Sequence, residues 1–305
     1  MADLPLSIVM PTWNQIDFTV ACIESIRANT DVGYELIVVD NGSTAEQATA
    51  AEQLADVFVG NTTNRGFAAA MNQGLRAAVG INVAFVNNDT VFPAKWASQL
   101  ISTFESLPRP GLVLPAVTAA GNQASVRTEP ADRITTFPPF RAIPSGVVYL
   151  AARSTILDLG GWNERYGTAS AEDLDLLFTV WANGLCVALD ERVLVHHESA
   201  VTASTLPNRN ALYKSNRLAF ADRWADSDPA GIPRLASCSD EDFAANLEKS
   251  RVAGTCMQQW FRTKDLADER ARAVRAAEAA VITKEQSHRG WMDRLGGLFG
   301  RVTGQ

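Results

Sequence analysis

The chain has 305 residues, of which 47% are apolar, and this content is enough to build a substantial hydrophobic core. Its formal net charge of -7 argues against a general nucleic-acid-binding protein, because phosphate recognition favours a basic surface. The 4 cysteines lie far apart without CxxC spacing, which indicates reduced thiols rather than a zinc site or a disulfide framework.

The N-terminal sequence has no basic region before its short apolar run. No stretch approaches about 18 uninterrupted apolar residues, the length that a membrane-spanning helix needs. The sequence therefore predicts neither a signal peptide nor a membrane span, and it favours a cytoplasmic protein.

Short apolar segments rich in β-branched residues alternate with helical patterns through the first part of the chain. The strands are predicted at residues 6–12, 35–40, 57–60, 82–89 and 111–117. This alternation is typical of βαβ units, so we expect an α/β fold with a mostly parallel sheet flanked by helices. Ligands bind beyond the carboxyl ends of such strands, where this sequence places polar side chains.

The alternation stops near residue 118. Residues 118–141 are polar and contain prolines, which predicts a loop over a site, and apolar character returns at 143–152. A helix is predicted at 171–184, where Asn183 and Gly184 form a C-terminal stop. Residues 187–199 are predicted to be extended, and the chain beyond about residue 205 is predicted to be helical.

Asn87, Asn88 and Asp89 follow the fourth predicted strand. A carboxylate at this place, joined by a later histidine or acid, would suit Mg²⁺ or Mn²⁺ bridging a diphosphate. The alternative is turn chemistry that ends the strand before Pro93. Asp40 at the second strand end has the same two interpretations, an ordinary turn or an acceptor for a nucleobase N–H.

Glu172, Asp173 and Asp175 place three carboxylates in the first turn of one predicted helix, where the helix dipole favours negative charge. A capping box formed by Ser170 and Asp173 is the structural alternative. A carboxylate beside an open site would instead remove a proton from a hydroxyl nucleophile.

His196 and His197 are adjacent in an extended segment, so their side chains point to opposite faces and only one can reach a given site. No strand is followed by GxGxxG, and no GxxxxGK[ST] motif occurs, so neither dinucleotide nor P-loop chemistry is supported.

Six motifs, in this order, resemble those of the family 2 glycosyltransferases: SIVMPTWN, VVDNGS, NRGFAAAMNQGL, FVNNDT, GGWNERYGTASAEDLDL and VLVHH. The similarity covers roughly residues 5–220 and is greatest to the bacterial branch that resembles rhamnosyltransferases and other cell-surface polysaccharide enzymes. It implies a GT-A fold, a nucleotide-sugar donor, a divalent cation (Mn²⁺ or Mg²⁺) and inversion at the anomeric carbon. A UDP- or dTDP-sugar is the expected donor, and a glycan or lipid-linked saccharide is the expected acceptor.

The same resemblance assigns roles to individual residues. Thr12 and Asp40 would meet the base with Asn14 close by, Arg65 would lie near the base or phosphates, Asn72 would shape the pocket, and Asn88 would lie near the ribose. Asp89 would hold the cation, and His196 or His197 would complete its protein ligands, with His196 fitting the family's spacing slightly better. Asp173 would be the catalytic base, and Glu172 would support it or contact acceptor hydroxyls.

One departure concerns the Asp-x-Asp signature of the family, because Asn87 stands where its first acid is expected. The missing charge should weaken cation binding in the absence of donor, so the cation is expected to arrive with the diphosphate or to be only partly required. In the segment 146–167, Gly160 and Gly161 allow a tight turn. Trp162 and Tyr166 either stack on a sugar or pack in the core.

The expected organisation is a GT-A domain at 1–220, with a nucleotide-sugar half at about 1–117 and an acceptor half at about 118–220. A helical extension follows at 221–305. An apolar face in 288–302 either packs against protein or rests on the inner face of the plasma membrane, and the helix 264–287 would mediate a homo-oligomer.

Two other functions compete with glycosyl transfer as interpretations of the sequence. A sugar-phosphate nucleotidyltransferase usually carries a Gly-rich, basic signature near its first strand, which PTWNQID lacks. A non-catalytic nucleotide-sugar or glycan-binding subunit is favoured by Asn87 and opposed by Asp89, Asp173 and the paired histidines.

Overall fold

The computed structural model describes residues 4–118, 125–137, 147–168 and 171–198, together with 211–212, 215–216, 219–220 and 223. The predictions for the extension at 221–305, apart from the position of Arg223, fall outside these residues. Among the described residues, no helix combines the length and the apolar composition that crossing a bilayer would require.

Nine strands and six α-helices are found in the described part of the chain. The first half contains β1 (Leu6–Thr12), α1 (Ile16–Asn29), β2 (Tyr34–Asp40), α2 (Ala45–Glu52), β3 (Val57–Gly60), α3 (Phe67–Ala77), β4 (Asn82–Val86), β5 (Thr90–Val91) and α4 (Trp96–Ser106). The second half contains β6 (Pro110–Val117), β7 (Ile134–Thr136), β8 (Val148–Ala152), α5 (Arg153–Asp158), α6 (Glu172–Ala182) and β9 (Cys186–His197), with a 3-10 turn at Glu164–Tyr166.

The strands form one sheet in the order β3-β2-β1-β4-β8-β6-β9-β5, and β7 pairs with β9. β1 to β4 are mutually parallel neighbours, and β6 is parallel to β9. β8 runs antiparallel to both β4 and β6, while β5 and β7 run antiparallel to β9. The sheet is therefore mixed but mostly parallel, which confirms the predicted fold class.

The central strands form the core because they are apolar on both faces. β1, β2 and β4 are almost fully buried, and helices cover the sheet. α3 approaches β1 so closely that a Cβ added at Gly74 would lie 2.2 Å from Val9 Cγ1. Glycine at this position thus allows the close helix–strand contact that fixes α3 over the sheet.

Strand prediction was most accurate where apolar runs were short and bounded by polar turns. The segments 6–12 and 57–60 were predicted with the observed bounds. The helix at 171–184 is α6, and it ends at Asn183 and Gly184, where Gly184 has φ 74°. The antiparallel strands β5, β7 and β8 were not predicted, because their pairing partners lie far away in the sequence.

Glu191 on β9 ties the segment 125–137 to the sheet. Its fully buried carboxylate accepts hydrogen bonds from Arg127, from Thr135 Oγ1 at 2.7 Å, and from Arg133 at 2.7 and 2.6 Å. These donors, Arg133 first, lower the pKa of Glu191 to about 2 from its ordinary 4.5, against the opposing effect of burial. The segment predicted to be a loop over a site is thus anchored by a charged cluster.

We expect Glu191→Gln to destabilise the fold by about 2 kcal/mol at pH 7, because three donors lose their charged acceptor. The lowered pKa of Glu191 corresponds to about 3 kcal/mol of folding free energy. Solvent screening at the largely exposed Arg133 makes the net contribution smaller. Because folding lowers the pKa of Glu191, its ionised carboxylate stabilises the folded protein at pH values above 4.5. This stabilisation is lost as the pH falls from 4.5 towards about 2.

Urea unfolding of both proteins should therefore show a difference that narrows between about pH 5 and 3. Glu129→Gln, which changes an exposed carboxylate of the same segment, is the control and should change stability little. A stability difference that stays constant over this pH range would contradict the stabilising role of the charged cluster around Glu191.

Candidate functional site

The carboxyl ends of the parallel strands meet at one edge of the sheet. Thr12 at the end of β1 pairs with Asp40 at the end of β2, and Asp40 pairs with Gly60 at the end of β3. β4 ends beside them and is followed by Asn87, Asn88 and Asp89. The polar strand ends that the sequence indicated therefore lie along a common edge, as expected for a ligand site in such a sheet.

The loop after β1 is locked to the loop after β2. Asn14 and Gln15 have left-handed backbone conformations, with φ of 55° and 56°. Asn14 N donates to Ser43 Oγ at 2.7 Å, and Asn14 Oδ1 accepts from Thr44 N at 3.1 Å. The strained conformation is thus held by contacts from a second loop, which pre-organises this edge.

The two carboxylate oxygens of Asp40 have different surroundings: one accepts hydrogen bonds in a turn, and the other is a buried acceptor. Its Oδ2 accepts from the backbone N–H groups of Gly42 and Ser43 at 3.1 Å each, as in an ordinary Asx turn. Its Oδ1 is buried and accepts no hydrogen bond from any described residue. A buried acceptor without a partner costs free energy, so this oxygen is suited to a donor supplied by a ligand.

Asn41 organises the adjoining loops, and the sequence analysis did not single it out. Its Oδ1 accepts from Asn61 Nδ2 at 3.1 Å and from Arg65 N at 3.2 Å, while its Nδ2 donates to Gly66 O at 3.1 Å. The Arg65 side chain is exposed. Asn41 therefore fixes the backbone of Arg65, whose side chain extends into solvent.

A buried chain of polar contacts supports the end of β4. Asn88 Nδ2 donates to Thr19 Oγ1 at 3.0 Å, and Thr19 Oγ1 lies 3.0 Å from Thr12 Oγ1. Thr19 is a polar residue on the buried face of α1, and a polar residue at an apolar helix position is the sequence signal that marks it. These contacts join two residues expected at the nucleotide, Thr12 and Asn88, through one helix.

Asp89 and His197 are brought together by strand pairing. β5 pairs with β9 so that Thr90 lies opposite His197, and Asp89 Oδ1 is 3.3 Å from His197 Nε2. Both side chains are more than nine-tenths buried. Asp89 Oδ1 accepts no hydrogen bond from a described residue, so it is suited to a bound cation.

His196 points to the other face of β9 and does not contact Asp89. Its Nδ1 lies 3.1 Å from Thr118 Oγ1, its Nε2 lies 3.0 Å from Glu198 Oε1, and its side chain is half exposed. The alternation of side chains along the strand thus selects His197. As a partner of Asp89 the structure favours His197, whereas the motif spacing of the family favoured His196.

The Asp89–His197 pair fits a divalent cation. Adjacent ligands of an octahedral ion with bonds of about 2.1 Å lie about 3 Å apart, close to the observed 3.3 Å. No group of three or more His, Cys, Asp or Glu side chains suited to a metal was found in the described part of the chain. Two protein ligands alone make an incomplete site, so oxygen atoms from a ligand or water would have to complete it.

The three acids of α6 occupy different environments. Asp175 and Glu172 are buried, with 2% and 9% exposure, whereas Asp173 is half-buried. Asp173 Oδ1 accepts from Leu174 N at 2.8 Å. The helix starts after Ala171, whose side chain forms no cap, and Ser170 of the capping-box alternative lies outside the described residues.

Tyr149 places the acids near the end of β4. It lies opposite Phe85 in the β4–β8 ladder, and its buried hydroxyl has no hydrogen-bond partner among the described residues. Burial, followed by the charges of Asp173 and Glu172, raises the pKa of Tyr149 well above its ordinary value. The start of α6 therefore lies close to β4, the strand that leads into the turn with Asp89.

Trp162 and Asn72 join the two halves of the sheet. The Trp162 ring packs edge-on against Phe67, Phe85 and Tyr149 at centroid distances of 5.2 to 5.4 Å. Asn72 holds the Trp162 backbone with two hydrogen bonds of 2.8 Å and also donates to Glu164 Oε1 at 2.9 Å.

These contacts bear on the roles expected for the three residues. The Asn72 amide is used within the protein, so an effect of Asn72 on the site would pass through Trp162. Trp162 and Tyr166 are almost fully buried, so they are core residues and not platforms for a sugar.

Residues 7–145 match the sequence model of glycosyl transferase family 2. An uncharacterized glycosyltransferase of Rickettsia felis is 30% identical over 93 residues, which is 30% of this chain and 15% of that protein. The uncharacterized glycosyltransferase YibD of Escherichia coli is 30% identical over 105 residues, covering 33% of this chain and 30% of YibD. A PGL/p-HBAD biosynthesis glycosyltransferase of Mycobacterium tuberculosis is 34% identical over 94 residues, covering 29% and 37%.

Two solved structures share the fold. GalNAc-T7, crystallised with UDP, GalNAc and Mn2+, superposes with a TM-score of 0.61 at 15% identity, covering 88% of this chain and 58% of that one. TarS 1–349 of S. aureus in complex with UDP-GlcNAc gives a TM-score of 0.61 at 15% identity, covering 88% and 79%. Residues 7–145 thus resemble glycosyl transferase family 2 in sequence, and the described part of the chain has the GT-A architecture.

Proposed function

We propose that the protein transfers a sugar from a nucleoside diphosphate donor to a hydroxyl of a glycan or lipid-linked acceptor, with inversion at the anomeric carbon. The observation that carries the proposal is a pair of buried carboxylate oxygens, Asp89 Oδ1 beside His197 and Asp40 Oδ1 at the same edge, neither of which accepts a hydrogen bond from a described residue. One acceptor suits a nucleobase and the other a cation, as a nucleotide-sugar requires.

The base would lie at the locked loops after β1 and β2. Asp40 Oδ1 would accept the N–H of the base, with Thr12 and Asn14 beside it. Uracil and thymine both present a ring N–H, so a UDP- or dTDP-sugar remains the expected donor. Asn88 would lie near the ribose, and the exposed Arg65 side chain would reach the phosphates.

Asp89 and His197 would hold Mn²⁺ or Mg²⁺. When bound, the cation would offset the negative charge that develops on the leaving diphosphate. Because only two protein ligands are present, the diphosphate would supply further oxygen ligands, so the cation and the donor should bind together. This also explains how the site functions with Asn87 in place of a second acid. GalNAc-T7 with UDP and Mn2+ and TarS with UDP-GlcNAc support this ligand class.

Asp173 would act as the general base. It would take the proton of the acceptor hydroxyl as that oxygen forms a bond to the anomeric carbon. The bond from that carbon to the phosphate oxygen breaks, and its electron pair leaves with the diphosphate. A single displacement of this kind inverts the anomeric centre, and Glu172 would support the acceptor beside Asp173.

The rival binding-only function would keep the nucleotide site and lack turnover. It is disfavoured because Asp173 is partly accessible at the start of a helix, next to the end of β4, where a base would be needed. Slow release of nucleoside diphosphate from a donor without acceptor separates the two, since a pure binder releases none.

We expect Asp173→Asn to bind donor as the wild type does but to lose transfer by about 10²- to 10⁴-fold, because general-base assistance contributes that much. Calorimetry with UDP and Mn²⁺ measures binding, and release of nucleoside diphosphate measures turnover. Asp158→Asn, an exposed carboxylate on α5, is the matched control. Turnover at the wild-type rate in Asp173→Asn would eliminate its assignment as the base.

We expect Asp89→Ala and His197→Ala to weaken UDP binding only when Mn²⁺ is present, by at least about tenfold, since each removes one of two protein ligands. His196→Ala is the matched control because its ring faces away from Asp89. Titrations with and without Mn²⁺ provide the measurement. Equal losses in both conditions would show that these residues do not act through a cation.

We expect Asp40→Asn to reduce the affinity for UDP about tenfold, because a charged acceptor makes the stronger hydrogen bond to an N–H donor. A thermal-shift screen of UDP, dTDP, GDP and CDP against both proteins tests this. Cytosine lacks the ring N–H in its neutral form, so CDP should bind weakly to the wild type. A wild type that favours CDP would rule out the assigned role of Asp40.

A further inference from the structure

Asp175 is a buried acid that the proposed chemistry does not use. It lies two residues after Asp173, and its side chain is 2% exposed. Asp175 Oδ1 accepts from Tyr166 Oη at 2.8 Å and lies 3.0 Å from Arg223 Nε, while Oδ2 accepts from Asn163 Nδ2 at 3.1 Å. A carboxylate with three donors at the start of a helix is a structural junction.

The first turn of α6 lacks the usual local support. Ala171 precedes the helix with φ 77°, a left-handed conformation that is strained for a residue with a Cβ. The N-cap residue Ala171 offers no side-chain acceptor, and within the described first turn Leu174 N donates to Asp173 Oδ1 of the helix itself at 2.8 Å. The carboxylates of Glu172, Asp173 and Asp175 also repel one another. The turn that carries the proposed base must therefore be held by contacts from elsewhere.

On one side, these contacts lead to the nucleotide half of the sheet. Asn163 and Tyr166 both donate to Asp175. Asn163 directly precedes the 3-10 turn that follows Trp162, and Tyr166 is the last residue of that turn. Trp162 is held by Asn72 of α3. A continuous set of hydrogen bonds thus joins α3, beside the predicted nucleotide site, to the start of α6.

On the other side, the contacts lead to three described residues near the end of the described chain, Asn216, Phe220 and Arg223. Asn216 Nδ2 donates to Tyr166 O at 2.5 Å, and the Phe220 ring packs edge-on against Phe178 at 4.9 Å. Arg223 brings a guanidinium to Asp175. This segment follows the family match at 7–145 by many residues and still contacts the helix that carries the acids.

Resting on the proposed transferase activity, we propose that Asp175 and Arg223 are positioning residues for Asp173. Their ion pair fixes the first turn of α6 and offsets the charge of the acidic cluster. The functional unit therefore extends to residue 223, and the described residues Asn216, Phe220 and Arg223 hold the helix that carries the proposed base.

The two residues act on Asp173 with opposite charge. Glu172 and Asp175 share the first turn of α6 with Asp173, Tyr149 on β8 lies within range of the charges of Asp173 and Glu172, and Arg223 brings a positive charge to Asp175. Removing the Asp175 charge favours ionised Asp173 and lowers the pKa of the base. Removing the Arg223 charge has the reverse effect. The acidic limb of the activity profile should move in opposite directions in the two variants.

The experiment measures nucleoside diphosphate release from UDP-glucose and from dTDP-rhamnose with Mn²⁺, with water as the acceptor, between pH 4.5 and 8. In Asp175→Asn and Arg223→Gln, kcat should fall about tenfold or more while KM changes less than about twofold, since only the base is displaced. The acidic midpoint should shift down by about 0.5 pH unit in Asp175→Asn and up by a similar amount in Arg223→Gln. Arg223→Lys, which keeps the charge, should restore the wild-type midpoint.

Hydrogen exchange of the amides at 172–176 provides a second readout that requires no substrate. Exchange should be faster in both variants and unchanged in Arg165→Ala, an exposed arginine of the neighbouring 3-10 turn. Unchanged exchange in both variants would overturn the positioning role even if no donor is turned over.

The activity data separate this inference from the proposed function. If Asp173→Asn is inactive while Arg223→Gln and Asp175→Asn keep the wild-type kcat and midpoint, the positioning role is wrong and the transferase stands. If Asp173→Asn is fully active, both fail. A shift of both midpoints in the same direction would also contradict the opposite charge effects.

Discussion

The pairing of β5 with β9 is the constraint on which the candidate site depends. It sets Thr90 opposite His197 and leaves Asp89 Oδ1 3.3 Å from the imidazole, with both side chains buried. A buried carboxylate oxygen without a hydrogen bond is costly unless a charge compensates it. The fold therefore maintains an arrangement that a cation would stabilise, and a short two-residue strand is enough to form it.

The remainder of the site is divided between the two halves of the sheet. The parallel half forms the edge proposed for the nucleotide, where Asn14, Asp40 and Asn41 hold the loops that follow β1, β2 and β3. The mixed half carries the acids on α6. Asn72 and Asp175 connect the two through the backbone and side chains of residues 162–166. Donor binding would thus depend on the parallel half of the sheet and sugar transfer on α6, and residues 162–166 would connect the two.

The sequence was sufficient to predict the parallel half and its polar strand ends, because short apolar runs and turn residues are local signals. It could not select between His196 and His197, since that choice depends on the register of β9 against β5. Nor could it show that Asn72 and Trp162 bind each other. The Glu191 cluster and the Asp175–Arg223 contact were also inaccessible, because their partners lie in distant polar segments without periodic patterns.

Anomalous diffraction at the manganese edge, from crystals grown with UDP and Mn²⁺, tests the central claim most directly. The account predicts one strong peak bonded to both Asp89 and His197 and to diphosphate oxygens. A peak at His196 and Glu198, or a UDP molecule bound at this edge with no manganese beside Asp89, would contradict it.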